Sequence, residues 1–301
     1  MQNNTKLLIV DGHNLLFQMF FGMPNRIINK DGKAIQGVIG FVGALNKIIK
    51  QVEPTHVVVL FDGEHENARR ELLPEYKDNR EDYSEVEEED NPFLQLPDIY
   101  KALDEMGIKH CETVDVETDD VIASYVLNYV ANNECKDGGY KATSGENDEE
   151  IEIVISSWDS DFFQLISDKV QVLRYRGKCT TICDVEYLKE KFDIAPDVYA
   201  DFKSLVGDTA DNIKGVTGIG PKTASALLKR FKSLQGILEH MDEIDKKKVQ
   251  KSLIEEQERL RINYQIIKLN DEAKLPFALE ELEYTVQERK TNEILAAIQL
   301  L

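Results

Sequence analysis

Only four of the 301 residues are cysteine, and they stand apart at Cys111, Cys135, Cys179 and Cys183. That excludes a disulfide scaffold. The one close pair, Cys179 and Cys183 in KCTTIC, has no second Cys or His pair beside it to complete a zinc tetrahedron, so all four are expected to be reduced structural thiols. No apolar run approaches the roughly 20 residues of a membrane span, and Met1 to Lys6 leads straight into a strand-like run without a signal-peptide pattern. A cytoplasmic protein with no membrane contact is therefore expected. Basic residues are scarce too: 36 Lys and Arg face 56 Asp and Glu, a formal charge of −20. Affinity for phosphate backbones comes largely from counterion release by Lys and Arg, so this balance argues against nucleic acid as a partner.

What is present is an ordinary globular composition, 42% hydrophobic, enough for one or two domains with a core. Short β-branched runs recur at 7–10, 56–61, 108–113, 151–156 and 170–174. Helical spacing lies between them, at Val38, Leu45, Ile48 and Ile49, at Ile99, Leu103 and Met106, and at Val121, Ile122, Tyr125, Val126 and Tyr129. Strand alternating with helix predicts an α/β fold, a mostly parallel sheet with helices on both faces. After about residue 184 helical periodicity dominates, which divides the chain into a sheet domain, 1–183, and a helical domain, 184–301. Residues 81–97 and 133–150 are polar, acid-rich or Gly-rich, and read as mobile surface segments.

The acids fall at strand ends. Asp11 follows LLIV, Asp62 follows VVVLF, Glu117, Asp119 and Asp120 open a helix after IKHCET, and Asp159 and Asp161 follow IVISSW. A single Asp after a strand is an ordinary cap or turn residue. Four strands delivering acids to the ligand-binding edge of one parallel sheet are a different matter. Gathered carboxylates repel each other unless a cation sits among them, and hard oxygen ligands suit Mg²⁺ or Mn²⁺. Asp159 and Asp161 are expected to point the same way on an extended segment, and Asp208 and Asp211 share one face if their segment is helical. Next, GVTGIGPK reads as two turns leading into a helix near Pro221, a geometry that exposes amides to phosphate. Between Lys214 and Lys232 stand five bases (Lys214, Lys222, Lys229, Arg230, Lys232) and no acid.

The ordered motifs VDGHN, LFDG, ARRELLPEYKDNR, VETDDVIA, SSWDSDFFQLI and LVGDTADNIKGVTGIGPKTA resemble those of the structure-specific 5′-nucleases. These comprise phage and bacterial 5′→3′ exonucleases, the 5′-nuclease domain of bacterial DNA polymerase I, and flap endonucleases. The resemblance covers roughly residues 6–235, and with no room for a polymerase a stand-alone member is expected. It implies a PIN-like nuclease domain with an arch at about 77–97, and a helix-hairpin-helix at about 204–232. Two divalent metals, Mg²⁺ or Mn²⁺, would be held by Asp11, Asp62, Glu117, Asp119, Asp120, Asp159, Asp161, Asp208 and Asp211. Lys77 and Arg80 would contact the scissile phosphate, with Asp119 central to catalysis. Tyr76 would stack on the terminal base, Arg69 and Arg70 would contact phosphate, and Gly218, Gly220, Lys222 and Thr223 would bind the DNA backbone. The carbonyls of Leu205, Val206, Lys214, Val216 and Ile219 would hold K⁺.

Four positions depart from the pattern: the pair His13-Asn14 after the first Asp-Gly, Gln18 where arginine is common, and Trp158 in place of glycine. The arch is unusual, with Glu81, Asp82, Glu85, Glu87, Glu88, Glu89 and Asp90 and no base. The function implied is a monomeric, metal-dependent 5′→3′ exonuclease or flap endonuclease of replication or repair, acting on DNA 5′ ends, flaps or nicks, RNA-primed ends included. Its rivals are a DNA-binding module with lost chemistry and a PIN-type ribonuclease. The charge of −20 then looks concentrated rather than general. Nine acids belong to the proposed metal set, seven to the arch and five to Glu146, Asp148, Glu149, Glu150 and Glu152; without them acids and bases nearly balance.

Overall fold

The computed structural model describes residues 5–63, 68–81, 83, 86–131 and 151–301; the whole 133–150 segment with Cys135, and His65, Asp82 and Glu85, lie outside the described residues. All five β-branched runs form strands: β1 (Thr5–Asp11), β2 (His56–Phe61), β3 (Lys109–Glu112), β4 (Ile151–Ser156) and β5 (Val170–Arg174). A short β6 (Thr181–Cys183) adds an antiparallel edge. Strand order is β3-β2-β1-β4-β5-β6, and every pairing but the last is parallel.

The physical reason for so apolar a β1 is that both its faces are covered. Leu7 and Ile9 point to one side, with Val58, Leu60, Ile153 and Ile155; Leu8 and Val10 point to the other, with Val57, Val59 and Phe61. Helices α1 (Gly12–Gly22), α2 (Gln36–Val52) and, beyond the short α3 (Ala68–Leu72), α4 (Leu96–Glu105) cover the second face. Helix α5 (Thr118–Val126) covers the first, beside Phe162 and Phe163. Each fully buried aliphatic side chain contributes about 2 kcal/mol through burial, so β1 anchors the sheet. Strand order reverses between β1 and β4, and ligands bind at the carboxyl ends of the strands at such a switch point.

The remainder is helical: α6 (Val185–Phe192), α7 (Tyr199–Val206), α8 (Pro221–Phe231), α9 (Leu234–Glu239), α10 (Lys247–Glu255), α11 (Gln257–Ile267) and α12 (Thr291–Ala297). Its core is continuous with one sheet face, since Leu205, Leu228, Leu253 and Leu260 join the cluster that contains Leu7. The chain then returns to the sheet domain. The Ala273 amide donates to Ser124 Oγ (2.8 Å), Tyr125 Oη donates to the Phe277 carbonyl (3.0 Å), and the Tyr284 amide donates to the Thr55 carbonyl (2.8 Å). Ile294, Leu295 and Leu300 finish the core under α2 and α4. Cys111, Cys179 and Cys183 are free thiols. No helix among the described residues is long and apolar enough to cross a membrane.

Candidate active site

A cleft of about 810 Å³ opens at the carboxyl ends of the strands, and six acids line it: Asp11, Asp62, Asp119 and Asp159, which sequence reasoning placed there, with Glu81 and Glu112. Backbone amides orient three of them through one oxygen each. Asp11 Oδ1 caps α1 by accepting from the Asn14 amide (3.1 Å), while its Oδ2 accepts from Ser157 Oγ (2.8 Å). Asp62 Oδ1 accepts from the Thr118 amide at the start of α5 (2.9 Å), and Asp159 Oδ1 from the Asp161 amide (2.8 Å). The cap and the cleft residue are thus one and the same. Gly12 is required after Asp11, because a Cβ there would lie 2.4 Å from the Phe61 ring. Burial and the neighbouring Asp62 push the Asp11 carboxyl up to about 6. Asp119 is raised well above the carboxylate range by burial and by Asp159.

Asp161 does not share this cleft. Residues 159–161 form a turn, with Ser160 helical at φ −84° and ψ −10°, rather than the extended segment expected, so the two acids part. Asp161 instead meets Asp208 and Asp211, with one carboxylate oxygen of each within 4.8 Å of the others. Nor are Asp208 and Asp211 on a helix. They sit on a hairpin, β7 (Gly207–Asp208) and β8 (Ile213–Lys214), turned by Asp208 Oδ1 accepting from the Ala210 amide (2.9 Å). Gly215 lets this hairpin pass so close to α7 that a Cβ would fall 2.1 Å from the Val206 carbonyl oxygen. The base of the arch and the residues just before it grip the turn: Asn79 donates to the Thr209 carbonyl (2.9 Å), Asn212 to the Glu75 carbonyl (2.8 Å), and Arg80 pairs with Asp211 (2.9 Å).

Two further acids are held from behind. Both oxygens of Asp120 accept from Arg69 (3.1 and 2.7 Å), and Oδ1 also accepts from the Asn270 amide (2.9 Å). Asp120 therefore faces away from the cleft. Glu117 Oε2 takes Lys77 (2.9 Å) and Arg69 (3.0 Å), whereas its Oε1 is buried without a hydrogen-bond partner. Such an orphaned carboxylate oxygen fits a cation ligand. Arg69, engaged by two acids and by the Ile266 carbonyl (2.9 Å), is not open to phosphate. Tyr76 is 3% exposed, packed among Ile213, Ile266 and Ile267, so it cannot stack on a base. Lys77 and Arg80 do line the cleft, and exposed Arg70 pairs with Asp78 (3.2 Å). Aromatic faces in the cleft wall come from Phe17, Tyr83 and Phe93, with His13, whose Nδ1 accepts from the Asp62 amide (3.1 Å).

The described part of the arch is anchored on α1. Tyr83 packs on Phe17, Phe21 and Phe93, and Arg26 pairs with Glu89 and Asp90. Trp158, next to Asp159, is 37% exposed, its indole donating to the Tyr175 carbonyl (2.9 Å), an oxygen that also accepts from Gln18. Beyond the hairpin, Gly218 (φ +84°) and Gly220 are exposed ahead of α8, with Lys222 exposed and Thr223 half-buried on its first turn. Of the carbonyls expected to hold K⁺, those of Leu205, Lys214 and Val216 accept from the Val216 amide (2.8 Å), Asn263 (2.9 Å) and the Ile219 amide (3.0 Å).

Sequence reasoning missed Lys203. Its Nζ bridges Asp161 and Asp208 with only 7% of the side chain exposed. The signal was there: a lysine inside the apolar rhythm of Tyr199, Phe202 and Leu205. It also missed Ser157, which accepts from the Asp159 amide (3.0 Å) while donating to Asp11.

The site is an acid-lined cleft at the switch point of a parallel α/β sheet, with a glycine-rich hairpin beside it. The chain belongs to the 5′-3′ exonuclease family: its N-terminal resolvase-like domain matches residues 6–193 and its C-terminal SAM fold residues 194–290. The chain is 32% identical to DNA polymerase I of Bacillus subtilis over 286 residues, 94% of this chain but 30% of that protein. It is also 32% identical to the thermostable DNA polymerase I of Thermus thermophilus, over 92% of this chain and 30% of the relative. It thus spans about a third of the length of these relatives. Among solved structures it resembles the bacteriophage T5 flap endonuclease in complex with DNA and metal ions (TM-score 0.68, 25% identity, 88% of this chain and 89% of that one). The fold is shared with the catalytic core of Rad2 (TM-score 0.56, 15% identity, 99% and 92%).

Proposed function

We propose that this chain is a divalent-metal-dependent 5′→3′ exonuclease or flap endonuclease that hydrolyses phosphodiesters at DNA 5′ ends and flaps in replication or repair. The observation that carries the reading is the convergence of Asp11, Asp62, Asp119 and Asp159 from four strand ends into one cleft that Lys77 and Arg80 also line. The four acids, with the free Oε1 of Glu117, would hold one divalent cation, and Asp161, Asp208 and Asp211 a second, Asp159 lying between. Mg²⁺ or Mn²⁺ so held supplies activation of water and neutralisation of the leaving oxygen. The chain's own residues do the rest. Lys77, kept protonated by Glu117 and Asp119 although burial opposes it, and Arg80 on Asp211 are placed to orient the scissile phosphate. Phe17, Tyr83 and Phe93, rather than Tyr76, offer faces for a base. Gly218, Gly220, Lys222 and Thr223 would seat duplex phosphates on the start of α8, a contact that carries no sequence information. A K⁺ ion there would share carbonyls that already accept hydrogen bonds.

The test is cleavage of a 5′-labelled flap duplex, a nicked duplex, an RNA-primed duplex and single-stranded RNA, each with Mg²⁺, Mn²⁺ or EDTA. Metal-dependent release of 5′ products from the DNA substrates is expected. Binding without cutting would indicate a DNA-binding module, and cleavage of RNA alone a ribonuclease.

A further inference from the structure

The two acid groups differ in how they are compensated. Among the described residues, no Lys or Arg lies within ion-pair distance of Asp11, Asp119 or Asp159, and Asp62 has only His13 at 3.8 Å. The triad of Asp161, Asp208 and Asp211 is already met by two cations, Lys203 on the first two and Arg80 on the third. Lys203 comes from α7, five residues before Asp208, and only 7% of its side chain is exposed.

We propose that Lys203 is an internal counter-cation that competes with a divalent ion for Asp161 and Asp208, so that metal binds in two steps, tightly among Asp11, Asp62, Asp119 and Asp159 and weakly at the triad. The proposal rests on reading these acids as metal ligands. A divalent ion approaching Asp11, Asp62, Asp119 and Asp159 meets carboxylates that no lysine or arginine touches, Lys77 acting on Asp119 only from beyond ion-pair distance. One approaching the triad meets a group whose charge Lys203 and Arg80 have largely cancelled, and it must separate a buried ammonium from an oxygen it touches, at a cost that low local dielectric enlarges. A lysine suits such a device, being a point charge on a flexible stem that can be pushed aside and return.

Calorimetric titration of the full chain with Mn²⁺, without DNA, tests this. Wild type is expected to show a tight and a weak class, with Asp208→Asn removing the weak one. Lys203→Met should tighten the weak class at least tenfold, about 1.4 kcal/mol, and leave the tight class alone. An unchanged weak class in that variant overturns the proposal while leaving the metal reading intact. Absence of any Mn²⁺ binding by wild type overturns the reading itself. Should Lys203→Met fail to fold, the lysine ε-methylene NMR signals of wild type decide during Mg²⁺ titration. The Lys203 signal is expected to move only as the second equivalent binds, and movement with the first, or none, overturns the proposal.

Discussion

At the scale of single residues, Arg69 holds together more of the site than its exposed neighbours suggest. One guanidinium ties two buried carboxylates, Asp120 and Glu117, to the Ile266 carbonyl at the end of α11. Removing it leaves Asp120 buried without a counter-charge and Glu117 with Lys77 alone, and breaking a buried pair from one side costs about 3–5 kcal/mol. Arg69→Met is therefore expected to lower unfolding free energy by roughly that amount in urea titration; a loss under 1 kcal/mol would mean that the pair is solvated. The adjacent acids should separate cleanly. Asp119→Ala is expected to abolish flap cleavage while flap binding persists. Asp120→Asn is expected to lose stability yet keep the tight Mn²⁺ class, and loss of that class at full stability would return Asp120 to the ligand set. Tyr76→Phe should leave flap affinity unchanged, since the ring is buried and its hydroxyl makes only a long contact to Glu117 (3.5 Å).

At the scale of elements, the anchored arch decides how a 5′ strand approaches. Among its described acids Glu81 lines the cleft, while Glu89 and Asp90 are bound by Arg26 close to an aromatic wall; together they set a negative field in the path of phosphates. Glu87, Glu88 and Glu89 changed together to Gln are expected to raise affinity for a single-stranded 5′ tail severalfold at low salt, with the gain vanishing above a few hundred millimolar salt as screening grows. Unchanged affinity and salt slope would show that the tail does not pass this segment. The strands were legible because a doubly covered parallel sheet demands unbroken β-branched runs, and α8 because Gly220-Pro221 fixes where a helix can begin. The parting of Asp159 and Asp161 was not, because it depends on one carboxylate capturing an amide two residues on. The hairpin under Asp208 and Asp211 hid for a like reason, with Gly207 at φ +88° setting its start. Tyr76 was misjudged because its burial comes from α11, nearly two hundred residues later, where no local pattern reaches.

At the scale of the whole molecule, clustered acid makes stability depend on pH and metal together. Asp11 is raised from 3.8 to about 6 and Asp161 from 3.8 to about 7, burial being the largest cause for both; Lys203 pulls Asp161 the other way without prevailing. A carboxyl raised in the folded chain holds its proton more tightly there than in the unfolded chain. Its contribution is complete below pH 3.8 and is lost as pH rises through the folded values of about 6 and 7, each on the order of 1–3 kcal/mol. The carboxyls held below their usual range, Asp62, Asp98, Glu117, Asp193 and Asp208, act in the opposite sense, but above pH 5.5 they are ionised in folded and unfolded chains alike and contribute no slope. In EDTA the melting temperature is therefore expected to fall from pH 5.5 to pH 8. Divalent metal binds the ionised acids of the folded chain, and at a hundred times its Kd adds about 2.7 kcal/mol. Mg²⁺ should accordingly raise the melting temperature more at pH 8 than at pH 5.5 and flatten the decline. A melting temperature that climbs across this range in EDTA, or a Mg²⁺ increment independent of pH, would mean that the cleft acids are already compensated by the protein itself.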